Sequence, residues 1–208
     1  MVNIEQKVYD TIFIIAMRDA TLRNAYEGKK KDLGNPNNFP ITLNCLITLY
    51  KKLLDDEYTS QEDYDKDLLK FIELMCNEVN SFTQNNKFTF GNAQKFFNIA
   101  AKEFYKSIIL CGKYNSMRNN FRFCHCPQDQ QLIQLIWKQR KLLPNYINLG
   151  SRKEFNKSWG KENFENYIYP KRYLIFQEAV NYFCEQLINN HGDIINSIEF
   201  DFDNWNKF

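Results

Sequence analysis

Apolar residues recur at every third or fourth position through most of this chain, a spacing that suits a helix and not a strand, whose faces alternate every second residue. From Ile4 to about Tyr26, Val8, Ile12, Ile15, Ala16 and Leu22 fall along one side of a helix that Gly28 and the run Lys29-Lys30-Lys31 bring to an end. Beyond the loop from Gly34 to Pro40, Leu43, Leu46, Ile47, Tyr50, Leu53 and Leu54 predict a second helix, with Thr42 as its cap. The third begins at about Ser60. Thr59 or Ser60 caps it ahead of acidic residues that suit a helix N-terminus, and Tyr64, Leu68, Phe71, Ile72, Met75 and Val79 form its buried face.

The pattern breaks between Asn85 and Gly91 and resumes from about Asn92 to Leu110. There Ala93, Phe96, Phe97, Ala100, Ala101, Phe104, Ile108 and Ile109 make a face so wide that it predicts a central helix. A loop spans roughly Gly112 to Arg122. Leu132, Ile133, Leu135, Ile136 and Trp137 then predict a helix capped by Asp129 and closed by Pro144, and Tyr173, Phe176, Ala179, Val180, Phe183 and Leu187 a long one ended by Gly192. Ile198 to Asp203 alternates as a strand does, but is too short to pair alone. Seven glycines and five prolines in 208 residues leave few breaks, so the expected fold class is all-α. One helical domain over residues 1–208 is expected, long enough to form two lobes around a central cleft.

Hydrophobic residues at 44% and aromatics at 16% exclude a disordered chain. A net charge of +2 and a pI near 8.1 leave any nucleic-acid surface to local clustering of cations. Cys45, Cys76, Cys111, Cys124, Cys126 and Cys184 have no framework spacing, and the N-terminal region lacks a cationic segment followed by a cleavable apolar core; the expectation is a cytoplasmic, reduced protein. The apolar run Ile12 to Met17 is closed by Arg18 and Asp19, far short of the roughly 20 residues a spanning helix needs, so no membrane partner is expected. Abundant Asn, Lys, Ile and Phe suggest an AT-rich coding sequence, as in low-GC bacteria and their phages.

Two positions carry chemistry. A lysine becomes a nucleophile when desolvation, a neighbouring cation or the positive end of a helix disfavours its charged form. Lys95, following Gly91-Asn92-Ala93-Gln94 among Phe90, Phe96 and Phe97, meets those conditions if the helix starts at Asn92. Asp129, in His125-Cys126-Pro127-Gln128-Asp129, stands at another helix start, where a carboxylate accepts backbone N–H groups. An amine and a fixed carboxylate are what cleavage of a nucleoside's glycosidic bond needs: the amine attacks the anomeric carbon and the carboxylate stabilises the cationic transition state.

Gly91 to Lys95 together with Pro127-Gln128-Asp129 resembles the helix-hairpin-helix DNA glycosylases, nearest the archaeal 8-oxoguanine glycosylase branch. In that superfamily a glycine-containing hairpin leads into a helix bearing the catalytic lysine, and a Pro-x-Asp at the next helix start supplies the carboxylate. The resemblance covers roughly Phe88 to Trp137 and implies Lys95 and Asp129 as catalytic residues, with Lys102 matching a further lysine of the archaeal branch. It also implies DNA contacts from Gly91, Asn92, Gln94 and His125. The usual Gly-x-Gly is reduced to Gly91 alone, and the long separation of lysine from aspartate implies an inserted loop from Lys113 to Arg122. The flanks, with Trp159, Tyr167 and Gln177, look like bacterial and phage proteins without an assigned activity.

Lys113, Arg118 and Arg122 interleave with Tyr114, Phe121 and Phe123, as in a strand-binding surface or a base-stacking wedge. Trp159, between Lys157 and Lys161, could stack on a base. Each feature also has a plainer reading: a solvated lysine, a helix cap, an exposed loop, a tryptophan packed on the bundle. Cys124-His125-Cys126 lacks zinc spacing and reads as buried thiols, so no metal and no cofactor is assigned. The expected function is a monomeric DNA glycosylase with lyase activity. The alternative is a non-enzymatic helical binding protein, a phage or defence factor that engages nucleic acid or a protein.

Overall fold

A computed structural model of the chain describes residues 4–21, 30–84, 88–110, 115–128, 130–157, 168–191 and 196–205. Every regular element among them is helical: α1 Ile4–Thr21, α2 Lys30–Leu33, α3 Pro40–Leu54, α4 Gln61–Thr83, α5 Phe90–Leu110, α6 Gln130–Gln139, α7 Arg152–Lys157, α8 Ile168–His191 and α9 Ser197–Trp205. Short 3-10 turns cover Pro36–Asn38, Asn115–Phe121 and Arg140–Leu142. No helix among these residues is long and apolar enough to cross a membrane. Leu22, Gly28, Gly112, Asp129, Trp159 and Gly192 lie outside the described residues.

α5 is the central helix. Nearly every side chain from Phe90 to Tyr105 is buried, which a helix achieves only with neighbours on all sides; α1 and α4 pack along it. Phe13 of α1 meets Phe96 edge-on at 5.1 Å between ring centroids, and Tyr9 stacks on Phe104. The buried stripe of α1 is therefore Tyr9, Phe13, Ala16, Met17 and Ala20 with Ile12, while Val8 and Ile15 are exposed, contrary to the face drawn from the sequence. Apolar residues surround this helix, so spacing alone does not select a side; the aromatic contacts do.

Two apolar cores result. The first gathers α1, α3, α4 and α5 with Phe121 and Cys124; the second gathers α6, α7, α8 and α9 with Cys126 and Ile147. α8 and α9 serve both: Tyr173 and Ile198 enter the first core, Phe176 and Phe200 the second. The segment Ile198 to Asp203 is thus helical and not strand-like. Asn196 starts α9 by accepting from the Glu199 N–H at 3.0 Å, and as a helix its acids Glu199 and Asp201 reach cations.

Caps show which helices are locally encoded. Ser60 accepts from the Asp63 N–H at 3.2 Å, as its sequence position predicts. Thr42 is not the cap of α3: that helix starts at Pro40, and its N-cap residue Phe39 has no side-chain acceptor. Glu78 of α4 supplies one, accepting from the Ile41 and Thr42 N–H groups at 2.9 and 2.8 Å and from the Thr42 hydroxyl at 2.6 Å. Its carboxylate also sits at the positive end of α3. Glu78→Ala is expected to lower the unfolding free energy by about 1–2 kcal/mol with an unchanged m-value in urea, while Glu78→Gln retains part of that.

Candidate functional site

Between the two cores runs the irregular segment Cys124 to Gln128, buried along its whole length. A buried backbone without a sheet partner must satisfy its N–H and C=O groups by other means. Here side-chain amides do it. Gln177 Oε1 accepts from the Cys126 N–H at 3.2 Å, and its Nε2 donates to the Cys126 carbonyl at 2.9 Å, pairing with one residue as a neighbouring strand would. Asn98 Nδ2 donates to the same carbonyl at 3.2 Å. Gln94 Oε1 accepts from the Gln128 N–H at 3.4 Å, and the Ser197 hydroxyl donates to the Cys124 carbonyl.

A relay of side chains leads outward from this seam. Asn98 Nδ2 donates to the Tyr173 hydroxyl at 2.8 Å, and that hydroxyl lies 2.9 Å from His125 Nδ1. Burial holds the Tyr173 phenol well above its ordinary range, so its proton stays available to donate. Gln61 Nε2 lies 2.8 Å from Asp65 Oδ1, 3.0 Å from the Phe123 carbonyl and 3.0 Å from His125 Nε2. An ionised carboxylate oxygen only accepts, so with His125 Nε2 3.0 Å from the same Asp65 oxygen the ring hydrogen is assigned to Nε2, and Nδ1 accepts from Tyr173. Asp65 lies in the wall of a cavity of about 650 Å³ between the start of α4 and the outer face of α8, lined also by Gln61, Tyr146, Ile175, Glu178 and Tyr182.

The expected site residues are distributed as follows. Asn92 Nδ2 donates to the Ala20 carbonyl at 2.7 Å and Lys95 Nζ to the Asp19 carbonyl at 3.1 Å, so both cap the C-terminal turn of α1. Because α5 begins at Phe90, Lys95 lies beyond the first turn, where the positive end of the helix no longer acts strongly. The carbonyl end of α1 favours a cation there instead. Gln94 is buried and bonds the Gly91 carbonyl at 3.0 Å. Lys102 is buried and ion-paired with Asp201 at 2.5 Å. Arg118 pairs with Glu199 at 2.5 Å beside Tyr105, and Arg122 with Asp56 at 3.0 Å while stacking over Phe123. Asp129 and Trp159 lie outside the described residues; Lys95 does not line the cavity.

Cys124 and Cys126 are buried beside His125, and burial pushes the Cys124 thiol up to about 12. No three potential metal ligands converge among the described residues. Comparison with protein-family models, with curated proteins and with solved structures gives no match. Sequence reasoning missed Gln61, Asp65 and Asp201. A signal for the seam was present: Gln94, Asn98 and Lys102 recur every four residues along one line of a helix rich in apolar residues, and Gln177 interrupts the apolar face of α8. Lys102→Met removes the cation 2.5 Å from the buried Asp201 carboxylate and should cost about 3–5 kcal/mol in urea unfolding, whereas Lys102→Met with Asp201→Leu should recover most of it.

Proposed function

We propose that the chain is a base-excising DNA glycosylase of the helix-hairpin-helix type, a cytoplasmic monomer that uses Lys95 as nucleophile and Asp129 as supporting carboxylate. The observation that carries this reading is the pairing of Gln94 with Gln128, whose Nε2–O and Oε1–N contacts measure 3.5 and 3.4 Å. Those residues immediately precede Lys95 and Asp129 in the sequence, and that adjacency is what supports the reading. In the reaction Lys95 Nζ exchanges the Asp19 carbonyl for substrate, loses a proton and attacks C1′ of the nucleoside. The glycosidic bond breaks and the base leaves with the bonding pair, while Asp129 stabilises the cationic sugar.

A second reading, a non-enzymatic helical binding protein, is favoured by how the cations are used. Lys95, Arg118 and Arg122 each have a protein partner, and acidic groups face the cavity. The two readings separate in one experiment, borohydride trapping on duplexes carrying oxidised, deaminated and alkylated bases. The enzyme reading expects a reducible adduct that Lys95→Gln abolishes while DNA affinity is largely kept, since a single phosphate contact contributes little to the total. Absence of an adduct on every lesion favours the binding protein.

A carboxylate has separable roles at a helix start. Asp129→Asn retains a capping acceptor and should fold as the parent does, yet lose several orders of magnitude in base release, because an amide cannot stabilise a cationic sugar as an anion does. Turnover at the parent rate in Asp129→Asn would reduce the aspartate to a cap.

A further inference from the structure

The cavity between α4 and α8 is separate from Lys95, and its wall is built with more care than an incidental surface hollow requires. Asp65 Oδ1 is fixed by two donors, Gln61 Nε2 at 2.8 Å and His125 Nε2 at 3.0 Å. His125 is itself 1% exposed and held from behind by Tyr173, which is 0% exposed. The carboxylate therefore cannot swing, and its Oδ2 takes no hydrogen bond from the described residues. The Gln61 amide is oriented by the donations of its Nε2 to Asp65 and Phe123, and Gln61 lines the same cavity with its Oε1 still able to accept.

The rest of the lining includes an apolar and aromatic set, Leu174, Ile175, Ile147, Tyr146 and Tyr182. Glu178 and Glu185 against the single Lys171 leave the field inside negative. A volume of about 650 Å³ is in the range of small-molecule sites. We propose that this cavity binds a small primary amine with an aromatic or aliphatic body. The ammonium donates to Asp65 Oδ2 and Gln61 Oε1, and the body lies along Leu174, Ile175 and the tyrosines. A phosphate-bearing or carboxylate ligand would meet three carboxylates, Asp65, Glu178 and Glu185, against the one lysine. This proposal does not depend on the glycosylase reading.

Tyramine is the probe, compared with p-cresol, which keeps the ring and lacks the amine, and with 4-hydroxyphenylacetate, which reverses the charge. Titration calorimetry on the full chain is expected to give saturable one-site binding of tyramine, weaker by roughly ten- to a hundredfold for p-cresol and undetectable for the acid. Asp65→Asn keeps an acceptor for His125 and should lose the same roughly ten- to a hundredfold in tyramine affinity with an unchanged circular dichroism spectrum. Should that variant fold poorly, Asn181→Trp fills the cavity from α8 without touching the relay and should abolish binding. The proposal falls if tyramine does not saturate the parent protein, if p-cresol binds equally well, or if a folded Asp65→Asn or Asn181→Trp binds tyramine as the parent does.

Discussion

The amide pairing of Gln177 with Cys126 is the interaction on which the arrangement of the two cores depends. Apolar contact is non-directional and would let two helical halves slide over one another. An amide that both accepts from and donates to one residue admits a single register. Gln94, Asn98, Gln61 and Ser197 extend the same device along the segment from Phe123 to Gln128, giving backbone groups of Phe123, Cys124, Cys126 and Gln128 side-chain partners inside the protein. Loops normally stay at the surface because they lack such partners.

The electrostatics of the seam follow from that burial. Charges taken out of water persist only where geometry compensates their desolvation, and Lys102 with Asp201 meets that condition at 2.5 Å. At its more open end the same seam carries Arg118, Glu199 and Tyr105, where burial and then the Glu199 carboxylate push the phenol up. α9 thus contributes two carboxylates to cations on α5 and on the turn that follows it. Net stabilisation from such pairs is small, and their effect lies in fixing where α9 sits.

The helices were legible because their signal is local. Three-and-four spacing located α3, α4, α5 and α8, and Ser60 marked the start of α4. What was not legible came from distant partners: Glu78 capping α3 from α4, Phe13 choosing the buried side of α1, Lys95 reaching back to the end of α1. The apparent strand at Ile198 misled because alternating apolar and acidic residues serve equally a helix lodged between two cores. The site was read only in part, since Asp65 and Gln61 look in the sequence like ordinary polar residues in the first turns of a helix, and only the fold brings His125 to them.

The way α8 and α9 distribute their side chains has a consequence for how the molecule comes apart. Each sends an aromatic or aliphatic anchor into one core and a phenylalanine into the other, two or three residues away. Opening one half therefore disturbs the other, because lifting either helix exposes apolar surface on both sides at once, and lifting α8 also strips the Gln177 amide from Cys126. Coupling of that kind raises the cost of partial opening and favours all-or-none melting. Two cores that would otherwise behave as independent foldons are joined into one cooperative body by a pair of helices that serve both.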